Sequence, residues 1–500
     1  RMSRTDSAAA LAGRSGELSR LDHALLAAHQ GRGGIVLLSG EPGIGKTRLA
    51  EELSDRAQRQ HDLVLWGRCY EGDGAPAFWP WSQILRDYTQ ARDLPLLRAE
   101  LDTSAADLVA LTPEIQRRLP ETQPAPAIDG AQARFRLFDS VTGVLLRVAQ
   151  AQPLVLVLDD LHWADAPSLL LLQHLAGTIA AATILVIGTY RESDIDERHP
   201  LTALIAALIR LGGVQQFALD GLTADEIARL ISDTTGHAPS ATLLGAVMEA
   251  TAGNPFFVTQ LARLLDPSAP TGPDAGGSFR LARIPPGVRA VILQRVQRLS
   301  PRCQRLLNAA AVIGRACSLR LLRALGLDPQ EELLGALDEA ARAQLLLPSA
   351  EGLGRYRFVH ALVRETLYEA LPLPERVELH AQVGRALLAG SAAESDRHLS
   401  ELSYHLFQAA PGGGIELALE YSLRAAAQSS RMLAYEDAAL HYTRALQLLE
   451  LLPTDDPARR CDFLLARGAI EARGGAASSL RATFTQAAAL AREQGDPPRL

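Results

Sequence analysis

Gly40-Glu41-Pro42-Gly43-Ile44-Gly45-Lys46-Thr47 fits G-x-x-x-x-G-K-[ST], the loop that cradles phosphate on backbone N–H groups. Before it, Ile35-Val36-Leu37-Leu38-Ser39 is an apolar run of strand length; after it, Arg48-Leu49-Ala50-Glu51-Glu52-Leu53 reads as an amphipathic helix. Strand, glycine loop and helix N-terminus in that order aim N–H groups at an anion. A glycine turn matching by chance would not explain both flanks. The stretch assigns Gly40, Gly43, Ile44, Gly45, Lys46, Thr47 and Arg48 to phosphate binding.

Lys46 is the only lysine in the 500 residues; every other basic side chain is arginine. A compact ammonium on a flexible stem can bridge β- and γ-phosphate oxygens inside a tight loop, whereas a planar guanidinium is too wide. Lys46 is therefore read as a catalytic as well as a binding residue, and ATP or ADP as the ligand.

Two further apolar runs belong to the same sheet. Pro153-Leu154-Val155-Leu156-Val157-Leu158 ends in Asp159-Asp160. Its length and lack of alternation suit a strand covered on both faces. Carboxylates at its carboxyl end would lie beside the glycine loop, where open α/β sheets bind ligands. This is a Walker B pattern: Asp159 would hold Mg2+ together with the Thr47 hydroxyl, and Asp160 would polarise an attacking water. A surface Asp-Asp turn is the competing reading, and the preceding strand weighs against it. Ala182-Thr183-Ile184-Leu185-Val186-Ile187-Gly188-Thr189-Tyr190 then ends at Arg191, which could reach a γ-phosphate or merely pair with Glu192 and Asp194. With Leu63–Arg68 and Phe217-Ala218-Leu219 as further strands, residues 31–220 imply a parallel α/β sheet.

Composition narrows the class. Nearly half of the chain is apolar, and the net charge of −7 carries no massed arginines, against a large nucleic-acid or anionic-membrane face. Cys69, Cys303, Cys317 and Cys461 form no C-x-x-C pair, so reduced thiols are expected. No apolar run approaches the ~20 residues of a membrane span, and Arg1-Met2-Ser3-Arg4 lacks a signal peptide's apolar core. A soluble cytoplasmic protein is expected.

Elsewhere the pattern is helical. Gly13-Arg14, just upstream of the loop, is a candidate adenine-side lip. The aromatic stretch Pro76–Trp81 reads as packing beneath a loop rather than a ligand box. Thr223-Ala224-Asp225-Glu226 is a capping box, and residues 266–278 read as a flexible linker. His360, on an apolar stretch, is by default a core histidine. Beyond residue 376, Tyr435, Ala438, Tyr442 and Ala445 match the second helix of a tetratricopeptide repeat, and Phe484, Ala487 and Ala488 echo it. About two repeats are present where ~3 or more are usual, so a longer parent protein is expected.

Taken together, Gly13-Arg14…Glu17-Leu18, Gly40–Thr47, Leu156-Val157-Leu158-Asp159-Asp160-Leu161-His162-Trp163-Ala164-Asp165, Gly188-Thr189-Tyr190-Arg191 and Gly253-Asn254-Pro255-Phe256 resemble the signal-transduction ATPases with numerous domains. Within that class the chain is similar to the large ATP-binding LuxR-type and MalT-like regulators. The resemblance implies an origin-recognition-like AAA-type P-loop ATPase core over 1–220, a helical lid and linker over 221–284, a winged-helix domain over 285–375 and TPR-like repeats over 376–500. It implies that Pro255 packs on adenine, that Arg191 is a sensor arginine, and that His360 contacts the β-phosphate of ADP. It also implies a slow, ATP/ADP-controlled switch whose repeats receive an inducer ligand or protein, with possible ATP-dependent self-association. DNA would be reached only through a C-terminal domain absent from this chain. An ATPase module linked to a nucleotide cyclase or protein kinase is the alternative; Met2, only about ten residues before Gly13, leaves little room for such an effector upstream.

Overall fold

The computed structural model describes residues 13–70, 74–123, 131–264, 288–326, 329–349, 352–389, 398–475 and 477–494. The expected linker at 266–278 lies outside them. Five strands, β1 (Gly34–Ser39), β2 (Leu63–Arg68), β3 (Leu154–Asp159), β4 (Ile184–Thr189) and β5 (Val214–Ala218), form one sheet in the order β2-β3-β4-β1-β5. Every neighbouring pair is parallel.

The unbroken apolar runs follow from cover on both faces. Leu37, Leu156, Leu158 and Val186 point into one core with Phe78 and Trp81. Val36, Leu38, Val157 and Ile187 point into the other, with Leu21 of the helix Ser15–His29 and Leu49 and Leu53 of the helix Lys46–Arg59. Alternate residues along one strand thus serve opposite layers, and neither face can be polar. The aromatic stretch is core: Phe78 and Trp81 are fully buried, and the Trp81 indole donates to the Ser168 carbonyl at 3.0 Å. Register sets the site. Leu38 pairs with Thr189 and Leu158 with Gly188, so the carboxyl ends of β1, β3 and β4 lie side by side.

Three helices, Ala224–Thr235, Ala241–Thr251 and Pro255–Leu264, pack on a small core of Leu222, Ile227, Ile231, Val247 and Val258. The Thr223–Glu226 capping box is present in both directions. Next come the helices Pro301–Ile313, Leu319–Ala324 and Gln330–Arg342 and an antiparallel sheet of β6 (Ala316–Ser318), β7 (Leu346–Pro348) and β8 (Arg355–Phe358), ordered β6-β8-β7. This unit runs helix, strand, two helices and two strands. Its core takes in Leu379 and Val383 of the helix Leu373–Leu388, beyond residue 375.

The helix Ile415–Arg431 pairs with Tyr435–Leu449, and Pro457–Gly474 with Ala477–Gln494. Small residues let the backbones approach. Ala438 and Ala445 are fully buried, and a Cβ on Gly468 would come within 2.7 Å of the Phe484 ring. The hairpins fold back on the five-stranded domain: Arg134 donates to Glu436 at 2.8 Å, and Met432, Leu433 and Ala434 join the apolar cluster beneath the sheet. All four cysteines are buried free thiols. No helix among the described residues is long and apolar enough to cross a membrane.

Candidate nucleotide-binding site

The loop between β1 and its helix is built on glycines with positive φ. Gly40, Gly43 and Gly45 have φ of 140°, 84° and 106°, angles at which a side chain would be strained. Space excludes a side chain at two of them as well: a Cβ on Gly40 would lie 2.9 Å from the Leu219 carbonyl, and one on Gly43 would lie 2.8 Å from the Phe256 Cβ. Lys46, at the start of the helix, is buried, and its ammonium donates to the Gly40 and Glu41 carbonyls at 2.8 and 3.0 Å. Burial pulls its pKa down to about 8, against the opposing pull of Asp160. A dianionic phosphate would supply the compensation that this ammonium lacks. Ile44 is buried beneath the loop, whereas Arg48 turns outward to Glu51.

Asp159, at the end of β3, has no exposure. Its Oδ1 accepts from the Thr47 hydroxyl at 2.9 Å and the Thr189 hydroxyl at 2.7 Å. Its Oδ2 is buried with no hydrogen-bond partner. A carboxylate oxygen orphaned beside a threonine hydroxyl is the donor set of a hard divalent cation, so Thr47 and Asp159 fit Mg2+. Asp160 sits in the left-handed region at φ 61°, with its N–H on the Thr189 hydroxyl. That turn keeps the second carboxylate at the mouth of the site.

Helical elements complete the opposite wall. Asn254 donates to the Pro42 carbonyl at 2.8 Å, and the Phe256 N–H lies 3.3 Å from the Gly43 carbonyl. Within Gly253-Asn254-Pro255-Phe256, the contacts to the loop therefore come from Asn254 and Phe256, while Pro255 starts the helix and is half-buried. His360 is not a core residue. It is half-buried, its Nδ1 accepts from the Leu362 N–H that opens the next helix, and its ring stacks on Phe256 at 4.4 Å. Desolvation, then the charges of Arg191, Arg315 and Lys46, push its pKa down to about 3, so the ring is neutral with its proton on Nε2.

Two side chains with no motif of their own also enter, from the unit that carries β6, β7 and β8. Arg315, at the start of β6, places a guanidinium nitrogen 2.5 Å from Asp160 Oδ2 and another 3.9 Å from Asp159 Oδ2. Glu365 accepts from Arg191 at 2.5 Å, and Asp194 lies on the same guanidinium at 3.2 Å. Arg191 is thus at the strand tip as expected, with its charge engaged by both acids. The pairs cross: the unit offers a cation to the carboxylates and a carboxylate to Arg191. No motif spacing announces either residue.

Other residues of the distinctive strings serve packing. Asp165 caps the helix Ala166–Ala176 through Ser168 and receives the Phe78 N–H. His162 is buried with neither ring nitrogen hydrogen-bonded, and burial together with Arg191 holds its pKa at about 3. Arg14 is buried. Its guanidinium clasps the Ile44 and Asp220 carbonyls, tying the chain's start to the phosphate loop.

Residues 10–187 match the family described as AAA ATPase domain. An uncharacterized protein of Rhizobium meliloti (strain 1021) is 26% identical over 458 residues, which is 87% of this chain and 42% of that protein. The chain therefore spans about two fifths of that relative's length. Among solved structures, the chain is similar to a signal transduction ATPase with numerous domains that carries a tetratricopeptide repeat sensor, from Pyrococcus horikoshii. That pair is 15% identical with a TM-score of 0.48, over 97% of this chain and 65% of the other. A Walker-type ATPase of Pyrococcus abyssi is similar at 14% identity and a TM-score of 0.33, over 71% of this chain and 96% of that one.

Proposed function

From an AAA ATPase domain with this geometry, we propose that the chain is the nucleotide-responsive part of a signal-transduction switch, and that ATP and ADP bind between the β1 loop and the helical domains. The observation that carries this reading is Asp159: one oxygen is saturated by two threonine hydroxyls, and the other is buried without a hydrogen bond beside Thr47. Gly40, Gly43, Ile44, Gly45, Lys46, Thr47 and Arg48 would cradle the phosphates, Thr47 and Asp159 would hold Mg2+, and Asp160 would take a proton from the attacking water. Bound Mg2+ would neutralise charge developing on the phosphates. Arg191 would report the γ-phosphate, Pro255 would pack on adenine, and His360 would donate from Nε2 to the β-phosphate of ADP.

The switch follows from which domain supplies which group. His360, Arg315 and Glu365 belong to a different domain from Lys46, Asp159, Asp160 and Arg191. A nucleotide that makes different contacts with the two domains shifts how they sit together. We place the parent protein among cytoplasmic LuxR-type transcription regulators, with the hairpin repeats receiving a ligand or protein. Calorimetry tests the core of this reading. ATP should bind the full chain in a Mg2+-dependent manner, Asp159→Ala should remove the Mg2+ dependence, and equal behaviour of variant and parent would defeat the assignment.

A further inference from the structure

Arg315 is the residue on this surface whose placement is most heavily built. It follows Gly314, which ends the helix Pro301–Ile313 at φ 145°. A Cβ on Gly314 would lie 3.1 Å from the Tyr70 hydroxyl, and that hydroxyl reaches back to the Ile313 carbonyl at 3.4 Å. The Arg315 carbonyl accepts from the Phe358 N–H at 3.0 Å, fixing the residue to β8. Tyr70 belongs to the turn that follows β2 in the ATPase core, so the two domains jointly hold the backbone that carries this guanidinium.

Its charged end faces the oxygen a divalent cation would use and the carboxylate beside it. It lies on Asp160 Oδ2 at 2.5 Å and 3.9 Å from Asp159 Oδ2, the oxygen with no hydrogen bond. A guanidinium and a dication cannot both sit close to the same pair of carboxylates without strong repulsion. A carboxylate engaged by arginine is also a poor acceptor for a proton from water.

We propose that Arg315 is a tethered cation that opposes Mg2+ at Asp159 while it occupies Asp160, so that the winged-helix domain, when seated, holds the site in a metal-poor, non-hydrolysing state. Metal and nucleotide entering together displace the guanidinium and with it the domain that carries it. The proposal rests on the reading of Thr47 and Asp159 as the Mg2+ site and adds the residue that opposes the metal.

Thermodynamic linkage gives a readout apart from turnover. ADP affinity of the full chain is measured by calorimetry with and without Mg2+, and the ratio reports coupling between metal and nucleotide. In Arg315→Gln the Mg2+-dependent gain in ADP affinity should grow by roughly tenfold or more, the scale of one charge-assisted contact. Arg315→Lys, which keeps a charge but loses the fork, should fall between variant and parent, and it serves if the glutamine variant does not fold. Glu365→Gln loosens the same domain without facing the carboxylates and should raise the ratio by clearly less than Arg315→Gln does. The proposal is overturned if both Arg315 variants keep the parental ratio, if Glu365→Gln raises the ratio as much, or if turnover falls because the arginine serves phosphate. Lys46→Ala is run beside them. Parental ATP binding in that variant would sink the site itself, whereas its loss with an unmoved Arg315 ratio would sink only the competition.

Discussion

The two walls of the site are made differently. On the ATPase side, Lys46, Asp159, Asp160 and Arg191 stand at the ends of adjacent parallel strands or on the loop one of them feeds. On the helical side, Asn254, Phe256, Arg315, His360 and Glu365 come from three separated stretches, and each is placed by an interdomain contact. The first wall is fixed by a rigid sheet. The second exists only while the helical domains are seated, so on the proposed reading chemistry would belong to the first wall and control to the second.

The largest effect should come from emptying the first wall of its cation. Lys46→Ala should weaken ATP binding by a hundredfold or more, at the upper end of ~1.5–3 kcal/mol per charged hydrogen bond with more than one lost. Calorimetry checks it, and a parental Kd would erase the distinction between walls. The fold should survive, because the apo protein bears the cost of burying that ammonium.

Asp160→Asn should lower ATP turnover by about a hundredfold or more while ATP still binds, since an amide cannot take the proton. It also removes the partner of Arg315, so the variant should look open by sedimentation though inactive. An inactive and still compact variant would show that Arg315 is not what seats the domain.

On the second wall, His360→Ala should weaken ADP more than ATP, by roughly tenfold, with faster ADP release. If the ADP rate stays put and only the melting temperature falls, the ring is a helix cap and a stacking partner for Phe256.

The smallest effect is a pH slope. Lys46 has a pKa of about 8 in the nucleotide-free protein, and a polyanionic ligand should raise it. ATP affinity should then be full below pH 8 and decline as pH rises above it, by up to about tenfold per unit. For the apo protein the sign reverses. The unfolded chain binds the extra proton between about 8 and the ordinary lysine value of 10.5, so stability should climb through that window. An affinity flat from pH 7 to 9 would mean that the ammonium is not facing phosphate.

The legible part of the site was local. Gly40 through Thr47 encode their own turn, because only glycine tolerates the φ values there and the flanking strand and helix lie next to it in the chain. Asp159 and Asp160 were legible because an unbroken apolar run forces them to the strand's carboxyl end. The aromatic stretch around Phe78 was correctly read as packing. The contacts of Arg14 were not legible, because they are made to carbonyls at 44 and 220, which no neighbouring residue reveals. Within Gly253–Phe256, Pro255 drew notice by resemblance, but the hydrogen bonds to the loop are made by its neighbours.

The sequence by itself determined the sheet, the glycine loop, the buried carboxylate at the end of β3 and the helical hairpins, because each rests on periodicity or on backbone angles within about ten residues. Only the tertiary structure decided that Arg315 lies on Asp160 and Glu365 on Arg191. Those contacts join residues 155 and 174 positions apart. Arginine and glutamate are ordinary surface residues in a helical chain, and their charge acquires a target only when one domain is packed against another.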